Sequence, residues 1–388
     1  MMNTKSPPLR ILFLIDELYS WHAGSEQHLL WLLRHLPSES VEKHFIVYSG
    51  IRDCSEILLP IPPIVLGKEY GEGFRNFPRR FFELVRYIKA NKIDIVHAFT
   101  LRDELIAAVA CLLARCGKTI GHRRDIGYAF NWKTKWISRA VQFFKIPYIA
   151  NSQAAQKSAF QIEHIKPERF TLIRNPVVKG RMEEGNKHPI SLQEIGIPEG
   201  DNVVGMVATV RPIKGHEVLL NAAKIVFDKY PRTHFLVVGE QQPKEYAEQL
   251  QVLARDMKID DKIIWFGGID NPFRILSLFT VAVLSSHSES FSNAVLEYSV
   301  AGIPAVVTDV GGLREIVKDG ETGFVVPPNT PEALAEKICD LLSAPQKREQ
   351  FGKNGQRFVN SQYSEATILE QYLDFYRLVA ENKCFGNK

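Results

Sequence analysis

The alternation of apolar runs with helical segments is the feature that most limits the possible folds of this 388-residue chain. The predicted strands are continuous apolar runs, for example at residues 93–96, rather than alternations of apolar and polar side chains. Continuous runs are typical of a parallel sheet covered by helices on both faces. In the first half, the predicted strands are 10–15, 44–49, 93–98, 118–122, 147–151 and 170–173. The predicted helices between them are 26–36, 74–91, 101–116, 131–144 and 152–163.

A second series of the same kind follows residues 179–200, a polar stretch punctuated by Gly and Pro that we interpret as a linker. Its predicted strands are 202–208, 233–239, 262–266, 280–285, 304–308 and 323–326. Its predicted helices are 215–229, 244–257, 271–278, 292–301, 312–318 and 331–343. The two series predict an α/β protein of two doubly wound Rossmann-like domains, 1–185 and 186–362, facing each other across a cleft. An amphipathic helix within 363–388 is predicted to pack back on the first domain.

Composition and charge limit the class of protein. No apolar run approaches the roughly 18 residues of a membrane span, and the run at 9–15 is expected to be a first strand rather than a targeting segment. The five cysteines are scattered, which favours reduced thiols in a cytoplasmic protein over disulfides or a zinc site. Residues 1–180 hold 26 Lys and Arg against 16 Asp and Glu. This basic half favours an anionic substrate or an anionic membrane surface as a partner.

Two glutamates, Glu289 and Glu297, flank the predicted start of a helix near Ser292. Glu289 follows the predicted strand at 280–285, and Glu297 lies about one turn into the helix. The free N–H groups and the dipole of a helix N-terminus bind phosphate. Flanking carboxylates are better suited to hydroxyl groups than to the anion itself. Hydroxyls on both sides of a phosphate describe a nucleotide sugar, which is the ligand that we predict for this site.

Two more motifs are predicted to reach the same opening. Arg211 and Lys214 lie between a strand and a helix, where a guanidinium fork and an ammonium point charge suit a diphosphate. Gly311 and Gly312 begin another predicted helix after another strand, so they offer a second set of backbone donors. Cations and backbone amides at one opening therefore agree with a bound diphosphate.

Together these motifs resemble those of the retaining glycosyltransferases of family 4, which have the GT-B architecture. The resemblance rests on Glu289-x7-Glu297, Ala301-Gly-Ile-Pro304 and Asp309-Val-Gly-Gly-x-x-Glu315. It is supported by Arg211-Pro-x-Lys214-Gly-His, Asn151-Ser152, Arg174-Asn-Pro-Val177 and Ala23-Gly-Ser-Glu-Gln27. It covers roughly residues 9–380. It implies a GT-B fold and transfer of a sugar from a nucleoside-diphosphate sugar to an acceptor hydroxyl.

The resemblance also implies a role for each motif residue. Glu297 is expected to bind the ribose hydroxyls, and Glu289 the hydroxyls of the donor sugar. Lys214, with Arg211, is expected to hold the diphosphate as it leaves. The other predicted substrate or nucleotide contacts are Gly24, Asn175, Phe291, Ser292, Asn293, Gly311 and Gly312. For Asn175, capping of a turn before the next proline is an open alternative.

The chain departs from the family pattern at three positions. Thr209 occupies the place of the usual arginine, so either Arg211 replaces that arginine or one phosphate contact is lost. Ala23 stands in place of the first glycine of the first loop. Ser290 follows the first glutamate where glycine is usual, at a backbone angle that serine can also adopt.

Polar residues at the ends of two strands in the first half are candidates for the reaction centre. His97 and His122 each end a predicted strand. The resemblance assigns a contact with the donor sugar or the reaction centre to a histidine near the second position, so we predict a catalytic role for His122. Arg123 and Arg124 either contact an anionic acceptor or pair with Asp125.

The resemblance implies front-face transfer with retention of configuration. A double displacement would use Glu289 as nucleophile, about 5 Å from an acid/base partner, but its expected place among the residues that hold hydroxyls favours the front-face route. The predicted catalytic set is Lys214, Arg211, Glu289 and His122, acting mainly by positioning and by stabilising the leaving diphosphate. The chain contains no Asp-x-Asp motif, so we expect neither a metal nor another cofactor, with the nucleotide sugar as co-substrate.

Other functions remain open on the sequence. A nucleotide-sugar epimerase of the same architecture would act without an acceptor, and a non-catalytic nucleotide-sugar-binding protein would not turn over. A dehydrogenase is disfavoured because no Gly-x-Gly-x-x-Gly follows the first strand, and nucleic-acid binding because no reader motif is present.

The expected acceptor is a saccharide or lipid-linked saccharide, in surface polysaccharide, lipopolysaccharide or glycolipid synthesis. We expect a cytoplasmic protein with peripheral contact to an anionic membrane. Aromatic residues beside cations at 77–82 and 132–136 suit that contact. Ordinary helix faces with partly buried cationic stems are the open alternative for these two segments.

Overall fold

The computed structural model of the chain describes residues 7–18, 24–51, 59–67, 76–127 and 130–381. The chain divides into two compact units. Unit 1 consists of Met1–Arg174 and Ala366–Lys388, and unit 2 consists of Asn175–Glu365. Each unit is built on a parallel sheet, which confirms the predicted α/β class. Ala23 of the first-loop motif lies outside the described residues.

The sheet of unit 1 has seven strands. They are β1 Leu9–Leu18, β2 Val41–Ile51, β3 Ile64–Val65, β4 Ile95–Ala98, β5 Lys118–Arg123, β6 Tyr148–Ala150 and β7 Phe170–Leu172. The helices between them are α1 Gly24–His35, α2 Phe77–Ala90, α3 Leu101–Ala114, α4 Trp132–Phe143 and α5 Gln153–Glu163. The strands pair in parallel in the order β3-β2-β1-β4-β5-β6-β7. This doubly wound order places all of their carboxyl ends at one edge of the sheet.

Unit 2 has a six-stranded sheet. Its strands are β8 Asn202–Val207, β9 Thr233–Val238, β10 Ile263–Gly267, β11 Val281–Leu284, β12 Ala305–Thr308 and β13 Gly323–Val326. Its helices are α6 Lys179–Gly185, α7 His216–Lys229, α8 Lys244–Asp256, α9 Phe273–Leu276, α10 Asn293–Val300, α11 Leu313–Ile316, α12 Pro331–Ser343 and α13 Pro345–Gln362. The parallel order is β10-β9-β8-β11-β12-β13, so the direction of winding reverses between β8 and β11. Doubly wound sheets bind ligands at this switch point.

The last helix, α14 Glu365–Ala380, packs within unit 1. The hydroxyl group of Tyr372 lies 2.6 Å from His28 Nε2, and that of Tyr376 lies 3.0 Å from His97 Nδ1. Lys118 Nζ donates hydrogen bonds of 2.8 and 2.7 Å to two carbonyl oxygens at the C-terminal end of the helix. A cation also meets the negative end of the helix dipole there. These contacts fix α14 to the sheet of unit 1.

Several elements differ from the sequence prediction, among them the two-residue β3, which was not predicted. The stretch 179–200, interpreted as a linker, begins with α6, and the division between the units falls after Arg174. The helix predicted at 312–318 is only the four-residue α11. The 18-residue α13 was not predicted. Its buried face includes Gly352 and Gly355. A Cβ at Gly352 would lie 1.9 Å from the carbonyl oxygen of Gly302, which follows α10. Close backbone packing through glycine leaves little apolar periodicity in the sequence.

Candidate functional site

Unit 2 brings Lys214 and Glu289 together at the carboxyl ends of β8 and β11. Lys214 lies in the one-turn helix Pro212–Lys214 that precedes α7, and Glu289 lies in the loop between β11 and α10. Lys214 Nζ is 2.5 Å from Glu289 Oε2, and the side chains are 24% and 13% exposed. A cation and a carboxylate therefore share the switch point of the sheet, where the sequence predicts the diphosphate and the donor sugar.

Close backbone contacts hold the Glu289 loop against the turn that carries Lys214. Gly215 has a φ of +65°, and a Cβ there would lie 2.2 Å from the carbonyl oxygen of Ser285. The Ser285 hydroxyl donates a 2.8 Å hydrogen bond to the carbonyl oxygen of Gly215. The His287 N–H donates a 2.8 Å bond to the carbonyl oxygen of Ile213. Glycine at 215 is required both for the left-handed angle and for this approach.

Gly311 and Gly312 support the backbone of Glu289. Gly311 has a φ of +55°, and a Cβ there would lie 1.3 Å from the carbonyl oxygen of Glu289. The Gly312 N–H donates to the same oxygen at 3.3 Å. This bond corrects the expectation that both amides are open donors, because the Gly312 N–H is already satisfied within the protein. Contact of Gly311 with the nucleotide stays a prediction.

Glu297 lies one turn into α10 and forms an ion pair that sequence reasoning missed. Arg181 Nη1 is 3.0 Å from Glu297 Oε1, and the Glu297 side chain is 15% exposed. Burial raises the pKa of Glu297, and the Arg181 guanidinium opposes that rise. Arg181 also donates a 3.0 Å hydrogen bond to the carbonyl oxygen of Asp270. The guanidinium therefore orients the carboxylate that is predicted to bind ribose.

The start of α10 is fixed by side chains of the predicted donor motif. The Ser292 hydroxyl accepts a 3.4 Å hydrogen bond from the Val295 N–H, as an N-cap residue does. Asn293 Oδ1 accepts a 2.6 Å bond from Asn175 Nδ2, and Asn175 is buried. Asn175 therefore helps to hold the first residue of α10. Phe291 is 6% exposed and its side chain packs in the core, so its contact with a ligand would be through its backbone.

Arg211 and Thr209 stand apart from these contacts. Arg211 is exposed at the start of the one-turn helix that carries Lys214, and Thr209 is half-buried after β8. Within the described ranges, no carboxylate forms an ion pair with the Arg211 guanidinium. Of the two predicted diphosphate cations, Lys214 is therefore the one that the structure brings to Glu289.

Three histidines are buried beside one another in unit 1, near the carboxyl ends of β4 and β5. The ring centroids of His97 and His122 are 5.3 Å apart, and those of His28 and His122 are 5.5 Å apart. Burial, reinforced by the charge of Arg124, lowers the pKa of His97 to about 3 and the pKa values of the other two well below 6.5. All three rings are therefore neutral at pH 7.

His122 also lines a cavity of about 280 Å³ in unit 1. The other walls include the polar side chains of Ser25, Thr100 and Asp125. His97 is fully buried and is not among the lining residues. The cavity thus distinguishes the two histidines, because His122 adjoins a space lined by hydroxyl groups and His97 packs against α14.

Gly24 begins α1 and is exposed. No described atom lies within 4 Å of a Cβ built there, apart from its chain neighbours. Its carbonyl oxygen accepts a 3.3 Å hydrogen bond from Arg124 Nη2. The open space around Gly24 leaves room for a phosphate group beside its backbone. The contact between Gly24 and the donor phosphates stays a prediction.

The Arg123 side chain is held by carboxylates other than Asp125, the partner that the sequence analysis considered. Its side chain is 8% exposed and lies between two carboxylates, with Nε 2.7 Å from Glu163 Oε1 and Nη2 3.1 Å from Glu104 Oε2. Its guanidinium also lies 4.9 Å from the Tyr148 ring centroid. Asp125 instead accepts a 2.6 Å hydrogen bond from the N–H two residues later. Two carboxylates therefore hold Arg123 in the core, and it also lines the small cavity beside His122.

Two family models match the chain. The model described as Glycosyltransferase Family 4 matches residues 22–181, and the one described as Glycosyl transferases group 1 matches residues 188–358. The chain is 26% identical over 315 residues to the putative glycosyltransferase EpsD of Bacillus subtilis (strain 168), covering 76% of this chain and 79% of that protein. It is 28% identical over 211 residues to a D-inositol 3-phosphate glycosyltransferase of Segniliparus rotundus, covering 53% and 46%. The chain spans about half the length of the first two curated relatives that it matches.

Solved structures show the same fold. HepE of Anabaena in complex with UDP superposes with a TM-score of 0.82 at 20% identity, over 95% of this chain and 100% of that one. WaaG, a glycosyltransferase involved in lipopolysaccharide biosynthesis, superposes with a TM-score of 0.69 at 16% identity, over 94% and 99%. The predicted GT-B fold is confirmed by these likenesses. With both of its halves matched by family models, the chain belongs to glycosyltransferase family 4.

Proposed function

We propose that the protein is a retaining glycosyltransferase that moves a sugar from a nucleoside-diphosphate sugar to an acceptor hydroxyl. The observation that carries the proposal is the Lys214–Glu289 pair, in which a cation suited to a diphosphate lies 2.5 Å from a carboxylate suited to sugar hydroxyls. Glu297, one turn into the adjoining helix, is suited to the ribose hydroxyls at the other end of the donor. The start of α10, with Ser292 and Asn293, lies between the two glutamates in sequence.

In the reaction that we propose, the acceptor oxygen attacks the anomeric carbon from the face on which the diphosphate leaves. The new glycosidic bond forms as the bond to the phosphate oxygen breaks, and the acceptor proton passes to an oxygen of the leaving diphosphate. Lys214 and Arg211 stabilise the charge that develops on that group. Glu289 positions the sugar through its hydroxyls. His122 contacts the acceptor as a neutral hydrogen-bonding group in the cavity of unit 1.

We propose that these cations and the N–H groups of α10 take the part that a metal ion plays at other diphosphate sites. Among the described residues, no group of three or more His, Cys, Asp or Glu side chains could hold a metal ion. Independence of metal stays a prediction, and activity in excess EDTA checks it.

The donor and the acceptor are proposed by class. The complex of HepE with UDP supports a uridine nucleotide as the first donor to test. We propose a saccharide or lipid-linked saccharide acceptor in surface polysaccharide or glycolipid synthesis. The description of WaaG, and that of CapM of Staphylococcus aureus as a capsular polysaccharide biosynthesis glycosyltransferase, support this class.

We also propose that the protein works in the cytoplasm, in peripheral contact with an anionic membrane through α4. Trp132, Trp136, Arg139 and Phe143 follow one stripe of this helix at spacings of three and four residues. The three aromatic side chains are 69%, 62% and 83% exposed. The helix carries three cations and no acidic residue, which suits the interface of an anionic bilayer.

The other predicted membrane segment, 77–82, is less accessible. Arg80 is 1% exposed, and its guanidinium lies 5.3 Å from the Tyr48 ring centroid. Phe82, by contrast, is 57% exposed. No helix in the described part of the chain is long and apolar enough to cross a membrane.

The deciding experiment starts with a thermal-shift panel of UDP-, GDP- and ADP-sugars, because a ligand raises the melting temperature of the protein that it binds. With the donor so identified, we expect release of nucleoside diphosphate only when an acceptor is present, and a product whose anomeric configuration is that of the donor by proton NMR. Release without acceptor, with isomerised sugar, would favour the epimerase. Binding without any release would favour the non-catalytic protein, and an inverted product would refute retention.

A further inference from the structure

A second cavity in unit 1, of about 1170 Å³, lies at the edge of the sheet where the strands begin. Its walls include Lys118, the first residue of β5, and Pro147, which precedes β6. His122 and the small cavity described above lie near the other end of β5. The two cavities are therefore on opposite edges of one sheet, and the larger one is separate from the proposed transfer site.

One wall of this cavity is apolar. It consists of Ala108, Cys111 and Leu112 of α3, together with Phe144 and Ile146, which follow α4. Leu112 is 64% exposed and contributes its side chain to this wall. The volume exceeds the range of ordinary small-molecule sites, about 300–1,000 Å³. The wall therefore offers apolar surface to a large ligand.

The remaining walls are strongly cationic. Against one carboxylate, that of Glu168, stand the five cations Arg115, Lys118, Lys145, Lys166 and Arg169. Two of these cations are committed to the protein, since Lys118 binds the end of α14 and Arg169 Nε donates a 3.1 Å bond to the Ile146 carbonyl oxygen. Lys166 lies 3.9 Å from Glu168 in an exposed, weak pair. In the described part of the chain, neither Arg115 nor Lys145 forms an ion pair with a carboxylate.

Arg115 and Lys145 occupy backbone positions that ordinarily favour glycine. Each follows the C-terminal end of a helix, α3 or α4, and each has a φ of +51°. A side chain is strained in this left-handed region, where Gly or Asn is the usual residue. The benefit of a cation beside a helix C-terminus is no larger than that strain. Lys92 and Lys258 adopt the same angle after α2 and α8, away from this cavity, so the angle by itself indicates no ligand.

We propose that this cavity binds an anionic lipid. Its phosphate group meets Arg115, Lys145 and Lys166, and its acyl chain lies along the apolar wall at Leu112. Charge complementarity selects the anion, and the apolar wall separates a lipid from a free phosphate ion. The site does not depend on glycosyl transfer, so its failure would leave the proposed function untouched.

Calorimetric titration of the full chain with dodecyl phosphate, below its micelle concentration, tests the proposal. Inorganic phosphate supplies the head group alone, and uncharged dodecyl maltoside supplies the chain alone. We expect one dodecyl phosphate per chain, bound at least tenfold more tightly than either control probe. If inorganic phosphate binds as tightly, the cavity is an anion site and the lipid is wrong. If dodecyl maltoside binds as tightly, the binding is unspecific and the proposal is also wrong.

Variants locate the binding. The test variant removes three exposed charges by Arg115→Gln, Lys145→Gln and Lys166→Gln. The matched control removes the same charge from exposed positions of unit 2 by Lys224→Gln, Lys244→Gln and Lys258→Gln. Lys258 has a φ of +56°, so the control also includes a left-handed position. We expect at least tenfold weaker dodecyl phosphate binding in the test variant and unchanged binding in the control. Native affinity in the test variant, or equal losses in both, would overturn the proposal.

A third variant, Leu112→Gln, distinguishes binding of the acyl chain from binding of the phosphate group. Because Leu112 is largely exposed, the change leaves the core intact. It should weaken dodecyl phosphate at least threefold and leave inorganic phosphate unaffected. An unchanged affinity for dodecyl phosphate would remove the acyl chain from this wall and would contradict the proposal.

Discussion

Gly311→Ala should destabilise unit 2 far more than the same substitution at Gly320. Both glycines belong to unit 2 and have positive φ angles, +55° and +75°. They differ in what a Cβ would meet, since at 311 it lies 1.3 Å from the carbonyl oxygen of Glu289 and at 320 it meets nothing within 4 Å. The comparison therefore separates the cost of a close backbone contact from the cost of the backbone angle.

The magnitude follows from these two terms. The left-handed angle alone costs a non-glycine residue about 1–2 kcal/mol, which is the expected loss of unfolding free energy for Gly320→Ala. At 311, the Glu289 carbonyl must also move by about 2 Å to reach ordinary contact, and forcing a packed element apart costs about 1–3 kcal/mol more. Because the obstacle is backbone rather than a flexible side chain, we expect the upper part of the sum, about 3–5 kcal/mol.

Hydrogen exchange of the β11 and β12 amides, measured by mass spectrometry, reports the stability of unit 2 by itself. Donor binding gives a second readout, because moving the Glu289 backbone also moves its carboxylate. We expect Gly311→Ala to weaken donor binding at least tenfold, and Gly320→Ala to leave it unchanged. Equal losses of protection in the two variants would refute the claim that the Glu289 carbonyl excludes a side chain at 311.

Four further outcomes are expected. Lys214→Ala should lower turnover by about 10²-fold or more with donor binding retained, since it removes a charge-stabilising donor; near-normal turnover would contradict its role. Glu297→Ala should weaken binding of the nucleotide without its sugar in calorimetry, and unchanged binding would rule out the ribose contact. Burial lowers the pKa of His97 to about 3. Below pH 6.5 the unfolded chain therefore takes up a proton at this histidine that the native chain does not. The free energy of unfolding should fall by about 1.4 kcal/mol per pH unit as the pH decreases towards 3. His97→Phe should flatten the acid limb of urea unfolding, and an unchanged limb would contradict the role of His97. Trp136→Ser should reduce co-sedimentation with anionic vesicles at low salt, and an unchanged bound fraction would count against the α4 contact.

The order of the elements was largely readable from the sequence, because strands buried on both faces are apolar throughout. The exceptions have physical causes. β3 has only two residues, Ile64 and Val65, both exposed at the edge of the sheet, and the prolines at 60, 62 and 63 interrupt the apolar stretch that leads to it. Helix α13 buries Gly352 and Gly355 on its inner face, and glycine gives no hydrophobic period. A pattern of apolar residues therefore finds elements that are packed by side chains and misses those packed by backbone.

The site was predictable only as far as it lies in local motifs. Glu289, Glu297 and Lys214 fall in short segments whose spacing indicates their chemistry. Arg181 lies 116 positions from its partner Glu297, and Arg123 lies 40 positions from Glu163. An ion pair between distant segments leaves no periodic trace, so neither partner could be assigned before the fold was known.

Lys214 and Arg123 show why burial decides which cation can serve a ligand. Arg123 is held by two carboxylates in the core, where breaking a pair costs about 3–5 kcal/mol. Lys214 has one carboxylate partner and is 24% exposed, so its ammonium group is more accessible than the Arg123 guanidinium, which is 8% exposed. A diphosphate brings more negative charge than Glu289 and can replace it at the ammonium group. In the reaction that we propose, the same exchange would free the Glu289 carboxylate for the sugar hydroxyls.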